Sequence, residues 1–591
     1  MRTFRVTKPS MCGAFALALA SAALAQTTGP SSSQSPYVLP AVPGEGVETV
    51  SLLTVGDSIS GYRMVGIPDG MGAFLNDDGE TFTLLLNHEL SSSRGIARAH
   101  GGIGAFVSKW TIDRNTLEVL AGSDLIRSVY IWNAASAAYE LGTNVVFNRF
   151  CSADLPAESA FYNQSTGLGS TTRLFMNGEE AGAEGRAFAH IVDGPNAGQS
   201  WELPWLGKFS WENSVASPYT GDATVVIGLD DSSPGQVYVY VGAKSGSGTE
   251  IERAGLTNGR LYGIAVQGVI DEDRLSGLGE NVKRFDLVSL GDVSGKSGAT
   301  VQSESEANGV TEFLRPEDGH WDPRVPSDFY FVTTDQYDQT KDGIGTNSGR
   351  SRLYRLRFDD VTNPALGGEI ETLLDGTEAT QMMDNMTMDR FGNVIIQEDV
   401  GNQQHNGKIW SYDIASDSLS LVAKHDAERF GDIGTGAAPP FSQDEESSGV
   451  IDAHDILGAG WLLINDQAHY STGDAETVEG GQLLAMYSPG SNPALNLAVS
   501  REKDQVTISW SGATVNSDLT LLYATRVGNV VIPGGNPCAG VQLGLGSRNL
   551  RIVRTINSGA GSGEIVGSST VTGFLQIVDP ADCATSNVVT F

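Results

Sequence analysis

Seven short apolar runs, each stopping at carboxylates, amides or glycine, constrain this 591-residue chain more than any other feature. Leu84-Leu85-Leu86 runs into Asn87-His88-Glu89, and Leu174-Phe175-Met176 into Asn177-Gly178-Glu179-Glu180. Val225-Val226-Ile227 leads to Asp230-Asp231, and Phe329-Tyr330-Phe331-Val332 to Thr333-Thr334-Asp335. Val394-Ile395-Ile396 ends in Gln397-Glu398-Asp399, and Trp461-Leu462-Leu463-Ile464 in Asn465-Asp466-Gln467. The seventh, Val237–Val241, stops at Gly242-Ala243-Lys244. Runs of this length bounded by Gly, Asp and Asn signal buried strands, so the chain is expected to be all-β. Strands repeated radially about one axis, as in a propeller, send equivalent ends to one face. Oxygen donors collected there suit a hard cation. Asp and Asn also begin ordinary turns, which accounts for any single run; the set together points to a site.

The N-terminus carries Arg2, Arg5 and Lys8, then an apolar stretch to Leu24 and the small-residue end Ala23-Leu24-Ala25. That is the layout of a secretory signal peptide over residues 1–25, so the protein is expected to be secreted or periplasmic. No later stretch is long and apolar enough for a transmembrane segment. Export leaves Cys151, Cys538 and Cys583; an oxidising compartment permits a disulfide between the last two, which share the C-terminal segment. The odd Cys151 reads as a small buried hydrophobe. With 71 acidic and 37 basic side chains the net charge is −34, which argues against nucleic acid as a partner and suits a protein that collects cations.

Residues 26–40, rich in Ser, Gln, Thr, Gly and Pro, read as a linker. Strands and turn dipeptides fill 41–489, where unequal spacing fits a propeller with insertions, and Asp154–Tyr162 is a candidate helix. Ser488–Pro493 marks a boundary, and 490–591 reads as a small β domain containing Val506–Trp510, Leu519–Tyr523, Val530–Ile532 and Leu550–Ile556 as strands.

The segments LLLNHE at 84–89, LFMNGEE at 174–180, GKFSWENSVASPYTGDATVVIGLDD at 207–231, FLRPED at 313–318, DNMTMDRFGNVIIQED at 384–399 and DEESSGVID at 444–452 follow one another in an order that resembles the PhoX-type alkaline phosphatases. The resemblance covers most of residues 45–487. It implies a secreted six-bladed propeller with calcium and iron in an axial carboxylate-rich site, and hydrolysis of small phosphorylated substrates. By position it makes Glu89, Glu179, Glu212, Glu317, Asp384 and Glu398 metal ligands and gives Arg315 the substrate phosphate. The family has a cysteine before the paired acids of the second motif, and here Gly178 stands there. A soft thiolate selects iron or zinc, so the departure argues against Fe3+ and leaves more than one Ca2+ as the expected cofactor. The alternative on this point is that Cys151 folds toward the site and replaces the ligand.

The residues support such chemistry directly. Phosphoryl transfer needs positioned positive charge around the non-bridging oxygens. Calcium held by the acids would supply it, and Arg315 adds a planar fork matching two of those oxygens. Set against this, Arg315 is equally a structural partner of Asp318, and His405-Asn406-Gly407 reads as a hairpin tip. A rival from another class is a non-catalytic, calcium-bound extracellular propeller for binding or surface attachment, favoured by the loss at Gly178.

Overall fold

The structure, a computed structural model, describes residues 26–503, 505–559 and 561–591. The signal peptide expected over 1–25 lies outside the described residues. The six runs that end in acids or amides are the second strands of six antiparallel sheet units. Each follows an inner strand: β1 (Pro68–Leu75), β2 (Phe150–Asp154), β3 (Trp211–Ala216), β4 (Pro316–Trp321), β5 (Met383–Met388) and β6 (Glu445–Asp452). Inner strands touch in that order and β6 returns to β1, so the ring is closed. Four strands run outward in each unit, which makes a β-propeller. The seventh run, Val237–Ala243, is the third strand of its sheet, and this is why it delivers no acid to the centre.

Blade stacking explains why these runs are continuous rather than alternating, since both faces of each second strand are covered. Leu84 and Leu86 pack with Leu463 and Leu483 of the sixth blade, while Leu85 faces Phe150, Phe175 and Phe188 of the second. Each such leucine, fully buried, contributes about 1.5–3 kcal/mol. The sixth blade takes its outer strand, Glu48–Thr54, from the beginning of the chain, where it pairs with Glu479–Tyr487. First and last parts of the propeller are thereby fastened in one sheet.

Residues 26–40 are not a linker. Gln26–Thr28 pairs with Glu48–Thr54, and Val38–Pro40 pairs with Ser418–His425. Edge pairing asks only for backbone N–H and C=O, so a polar composition does not prevent it. Tyr37, edge-on to Phe430 and Phe441, anchors the segment. The candidate helix at Asp154–Tyr162 is a single 3-10 turn, Glu158–Ala160. A helix the periodicity did not reveal, Gly298–Ala307, is capped by Ser297. It lies in an insertion whose strand Val282–Gly291 pairs with Gly368–Leu374 and so joins the third and fourth blades.

Beyond the turn Pro489–Ser491 the chain forms two further sheets, one of three strands and one of four. They enclose a core of Leu497, Trp510, Leu519, Leu521 and Ile577. Cys538 and Cys583 are joined there, with Cα atoms 5.3 Å apart. Val530–Ile532 forms no strand of its own and contributes only an isolated bridge from Val531 to Gln542.

Candidate metal centre and active site

Every inner strand breaks register with its second strand at the same place. The breaks fall between Pro68 and Met71, Phe150 and Ala153, Trp211 and Ser214, Pro316 and Gly319, Met383 and Met386, and Glu446 and Gly449. At each, two residues oppose one, which is a β-bulge, a device that re-aims side chains at barrel rims and active sites. The first residues of the pairs are Asp69, Cys151, Glu212, Glu317, Asp384 and Ser447. In the sixth blade the acid comes one residue earlier, from Glu446.

The second strands supply another set. Side chains alternate along a strand, so of two adjacent acids only one faces the axis. Opposite the start of the first five bulges stand His88, Glu179, Asp230, Thr333 and Glu398; the residue after each is Glu89, Glu180, Asp231, Thr334 or Asp399. The amides of these following residues donate to the carbonyls of Ile67, Arg149, Ser210, Arg315 and Met382 at 2.8–3.0 Å, one bond per blade. The edge acids are thus pinned by the backbone beside the bulge.

Three groups of donors result. Asp69, Glu89 and Cys151 form one, Glu212, Glu317 and Asp384 a second, and Asp384, Asp399 and Glu446 a third, with ligand atoms within 4.8 Å of one another in each. Asp384 belongs to two of them. The Cys151 thiol also lies 3.3 Å from Glu89 and 3.2 Å from Glu180.

Like charges this close in a buried site repel by roughly 3 to 4 kcal/mol per pair at an effective dielectric near 20. Burial, and then the neighbouring acids, push Glu212, Glu317, Asp69 and Asp384 well above the usual carboxylate range. Burial likewise raises the Cys151 thiol. Glu446 moves the other way: burial opposes its ionisation, but His469 and Ser448 hydrogen bond to it and hold it below its ordinary value.

Two charged side chains answer the acids. Arg315 donates from Nε and Nη2 to Asp231 at 2.7 and 3.0 Å, and its Nη2 lies 3.1 Å from Glu317. Its partner is therefore not Asp318, which accepts instead from Asn213 at 2.6 Å. Arg149 donates from Nε to Glu89 at 2.7 Å, and its Nη2 pairs with Glu180.

Of the acids expected as ligands, Glu89, Glu212, Glu317 and Asp384 stand in these groups, with Arg315 beside them. Glu179 and Glu398 do not. Both oxygens of Glu179 are taken by Arg186, at 2.6 and 2.8 Å. Glu398 accepts from the Trp410 indole at 2.8 Å and from the Gln381 and Lys408 amides, and lies 3.0 Å from His405. Their neighbours Glu180 and Asp399 face the axis instead, because the strand phase puts the second acid of each pair inward. His405 does lie in the loop of the hairpin joining Asn393–Glu398 to Lys408–Asp413, but as a buried bridge, with Nδ1 3.0 Å from Asp342.

The expectation built on Gly178 is also corrected. A Cβ there would run into the Trp211 side chain, so that position has no room for a thiol ligand. The thiol arrives from the bulge of β2 as Cys151, the possibility weighed less heavily from sequence. Asp69, Glu180, Asp231, Asp399, Glu446 and Arg149 were missed as site residues. The signal that could have found Asp69 is the bulge dipeptide it shares with three of the expected ligands, in Pro68-Asp69-Gly70, Trp211-Glu212-Asn213, Pro316-Glu317-Asp318 and Met383-Asp384-Asn385.

A family model described as alkaline phosphatase PhoX matches residues 163–450. The chain is PhoX-like. The recognition drawn from the motifs is borne out, and the matching family is one of phosphatases, hydrolases of phosphoric esters. The PhoX match omits β1 and β2, and with them Asp69, Glu89, Arg149 and Cys151, which the closed ring brings to the same axis. No curated protein matches the chain. Among solved structures, Pseudomonas fluorescens PhoX in complex with vanadate, a transition state analogue, is similar at 12% identity with a TM-score of 0.49, covering 76% of this chain and 96% of that one. Synechocystis apocarotenoid oxygenase is similar at 11% identity and a TM-score of 0.29, covering 71% and 92%. Prolyl oligopeptidase B from Galerina marginata follows at 10% identity and 0.25, covering 78% and 48%. Among the described residues no helix is long and apolar enough to cross a membrane.

The acids make a pH prediction for the metal-free protein. Burial, then the Glu89 charge working against the relief that Arg149 gives, pushes Glu180 up to about 8. Burial, then Glu446, pushes Asp399 up to about 7. Folding therefore takes up protons where the unfolded chain has already ionised, and stability is complete at low pH and drains as pH rises. The thermal midpoint of metal-free protein, followed by scanning calorimetry, is expected to fall steadily from the ordinary carboxylate range up to about pH 8. A midpoint rising across that window would contradict the arrangement.

Proposed function

We propose that the chain is an exported, metal-dependent phosphomonoesterase working at the axial end of the propeller. The observation that carries this is the convergence of buried acids and one thiol from all six blades around a site that also holds Arg315. The cage fits cations. Asp69 Oδ1 is buried without a hydrogen-bond partner among the described residues, a costly state that a cation relieves. The group Glu212, Glu317 and Asp384 and the group Asp384, Asp399 and Glu446 offer only oxygens, which suits calcium. The group with Cys151 offers a thiolate, which suits iron or zinc, so the case against iron made from Gly178 does not hold for the folded chain.

Bound cations would supply positive charge to the phosphoryl oxygens and make water a stronger nucleophile at neutral pH. The chain's own part is positioning. Glu212, Glu317 and Asp384 hold their carboxylates in one group through three neighbouring bulges, so the charge centre is fixed before substrate arrives. Arg315, fastened to Asp231, presents its guanidinium edge to the phosphate and keeps one group of the ester oriented while the opposite bond breaks. Without cations the same acids repel an anionic substrate. The Arg315 guanidinium inside the cage favours turnover over mere calcium-stabilised binding, since a purely structural cation site gains nothing from a competing charge.

Purified protein supplied with calcium is expected to hydrolyse an aryl phosphate and to lose that activity on chelation. Hydrolysis that persists in full after the metals are stripped would refute the proposal.

A further inference from the structure

Four blades begin their inner strand from a residue in the left-handed backbone region: Ile67 at φ 50°, Arg149 at 49°, Arg315 at 59° and Met382 at 40°. For a residue with a side chain this costs about 1–2 kcal/mol, so the conformation is imposed by the bulge that follows. Two of the four positions hold arginine.

The two arginines repeat one pattern. Arg315 grips Asp231, the edge acid of the blade before it, and reaches Glu317 of its own. Arg149 grips Glu89, the edge acid of the blade before it, and reaches Glu180 of its own. Each uses Nε and Nη2, and among the described residues neither Nη1 has a hydrogen-bond partner. Arg149 is the more open of the two, its side chain 46% exposed against 26% for Arg315, whereas the acids they hold are nearly all covered. Since β2 and β4 are two places apart in a ring of six, the guanidinium groups approach the axis from different sides.

We propose that Arg149 is a second phosphate-gripping side chain, which with Arg315 holds the dianionic phosphoryl group of a monoester from two sides. The inference rests on the phosphatase reading above. Exposure alone does not mark such a role, since Arg357 is 44% exposed on buried Asp328; what sets Arg149 apart is that its two acids stand against Cys151 in the metal centre. A fork with a free N–H facing solvent and two others fixed on buried acids is pre-aimed for an oxyanion.

The test uses the metal-loaded full chain, an aryl phosphate as substrate and inorganic phosphate as inhibitor, with elemental analysis of each variant. Arg149→Ala is expected to raise KM and weaken phosphate inhibition about ten- to hundredfold, the worth of a lost charge-assisted contact, with metal content unchanged. Arg149→Lys, which keeps the charge without the fork, is expected to recover part of the loss, and it carries the test if the alanine variant does not fold. Unchanged KM and inhibition in both variants, or metal loss in step with the activity loss, would overturn the assignment. A wild type that cleaves no ester at all would instead bring down the phosphatase reading, and this inference with it.

Discussion

Glu317→Gln is expected to remove at least about a hundredfold of the phosphatase activity while the protein remains folded. The side chain is 1% exposed, stands with Glu212 and Asp384, and has Oε1 3.1 Å from the Arg315 guanidinium. The amide keeps the shape but withdraws a negative ligand, and even residues that only orient metal ligands cost ten- to a hundredfold when lost. The matched control is Glu398→Gln. That acid serves the Trp410 indole and the His405 ring rather than the axis, so its loss is expected to cost roughly 1–3 kcal/mol of stability and to leave turnover little changed. Burial alone would lower the His405 pKa, but hydrogen bonds to Asp342 and Glu398 raise it to about 9, so removing the Glu398 charge takes away one of the two carboxylates that hold the imidazolium. Activity assays and thermal melts on the pair separate the two roles; full turnover in Glu317→Gln would remove that residue from the centre.

Arg315→Ala is expected to lower kcat/KM on an aryl phosphate by about 10²- to 10³-fold, the range seen when one preorganised donor to a developing oxyanion is removed. Arg315→Lys should recover little, because an ammonium cannot hold Asp231 through two parallel bonds and still present an edge to the phosphate. Steady-state kinetics on both variants decide this. A lysine variant with wild-type kinetics would show that charge alone suffices and that the fork has no role.

Much of the architecture could be read from the punctuation of the chain. Continuous runs such as Leu84–Leu86 mark strands covered on both faces, and their acidic ends do share one face of the ring. What could not be read was the phase. In Glu179-Glu180 and Glu398-Asp399 either acid satisfies the pattern, and only the register with β2 and β5 turns the second one inward. In the inner set Glu212, Glu317 and Asp384 were reached only through the motif resemblance, and Asp69 not at all, for a different reason. Asp69-Gly70, Glu212-Asn213 and Asp384-Asn385 look like ordinary turn dipeptides, and nothing local distinguishes a bulge from a turn. Cys151 illustrates the same limit, since a lone thiol between Phe150 and Ser152 has the surroundings of a core residue until the ring closes around it. The linker reading of 26–40 failed because composition reports what side chains prefer, whereas those residues are held through their backbone.

The most direct measurement is elemental analysis of the protein purified without added chelator, paired with aryl phosphatase activity on the same sample. The account predicts more than one cation per chain, calcium among them, with stoichiometry and activity falling together on chelation and recovering on reconstitution. Active protein free of metal, or cations that leave without loss of activity, would contradict it.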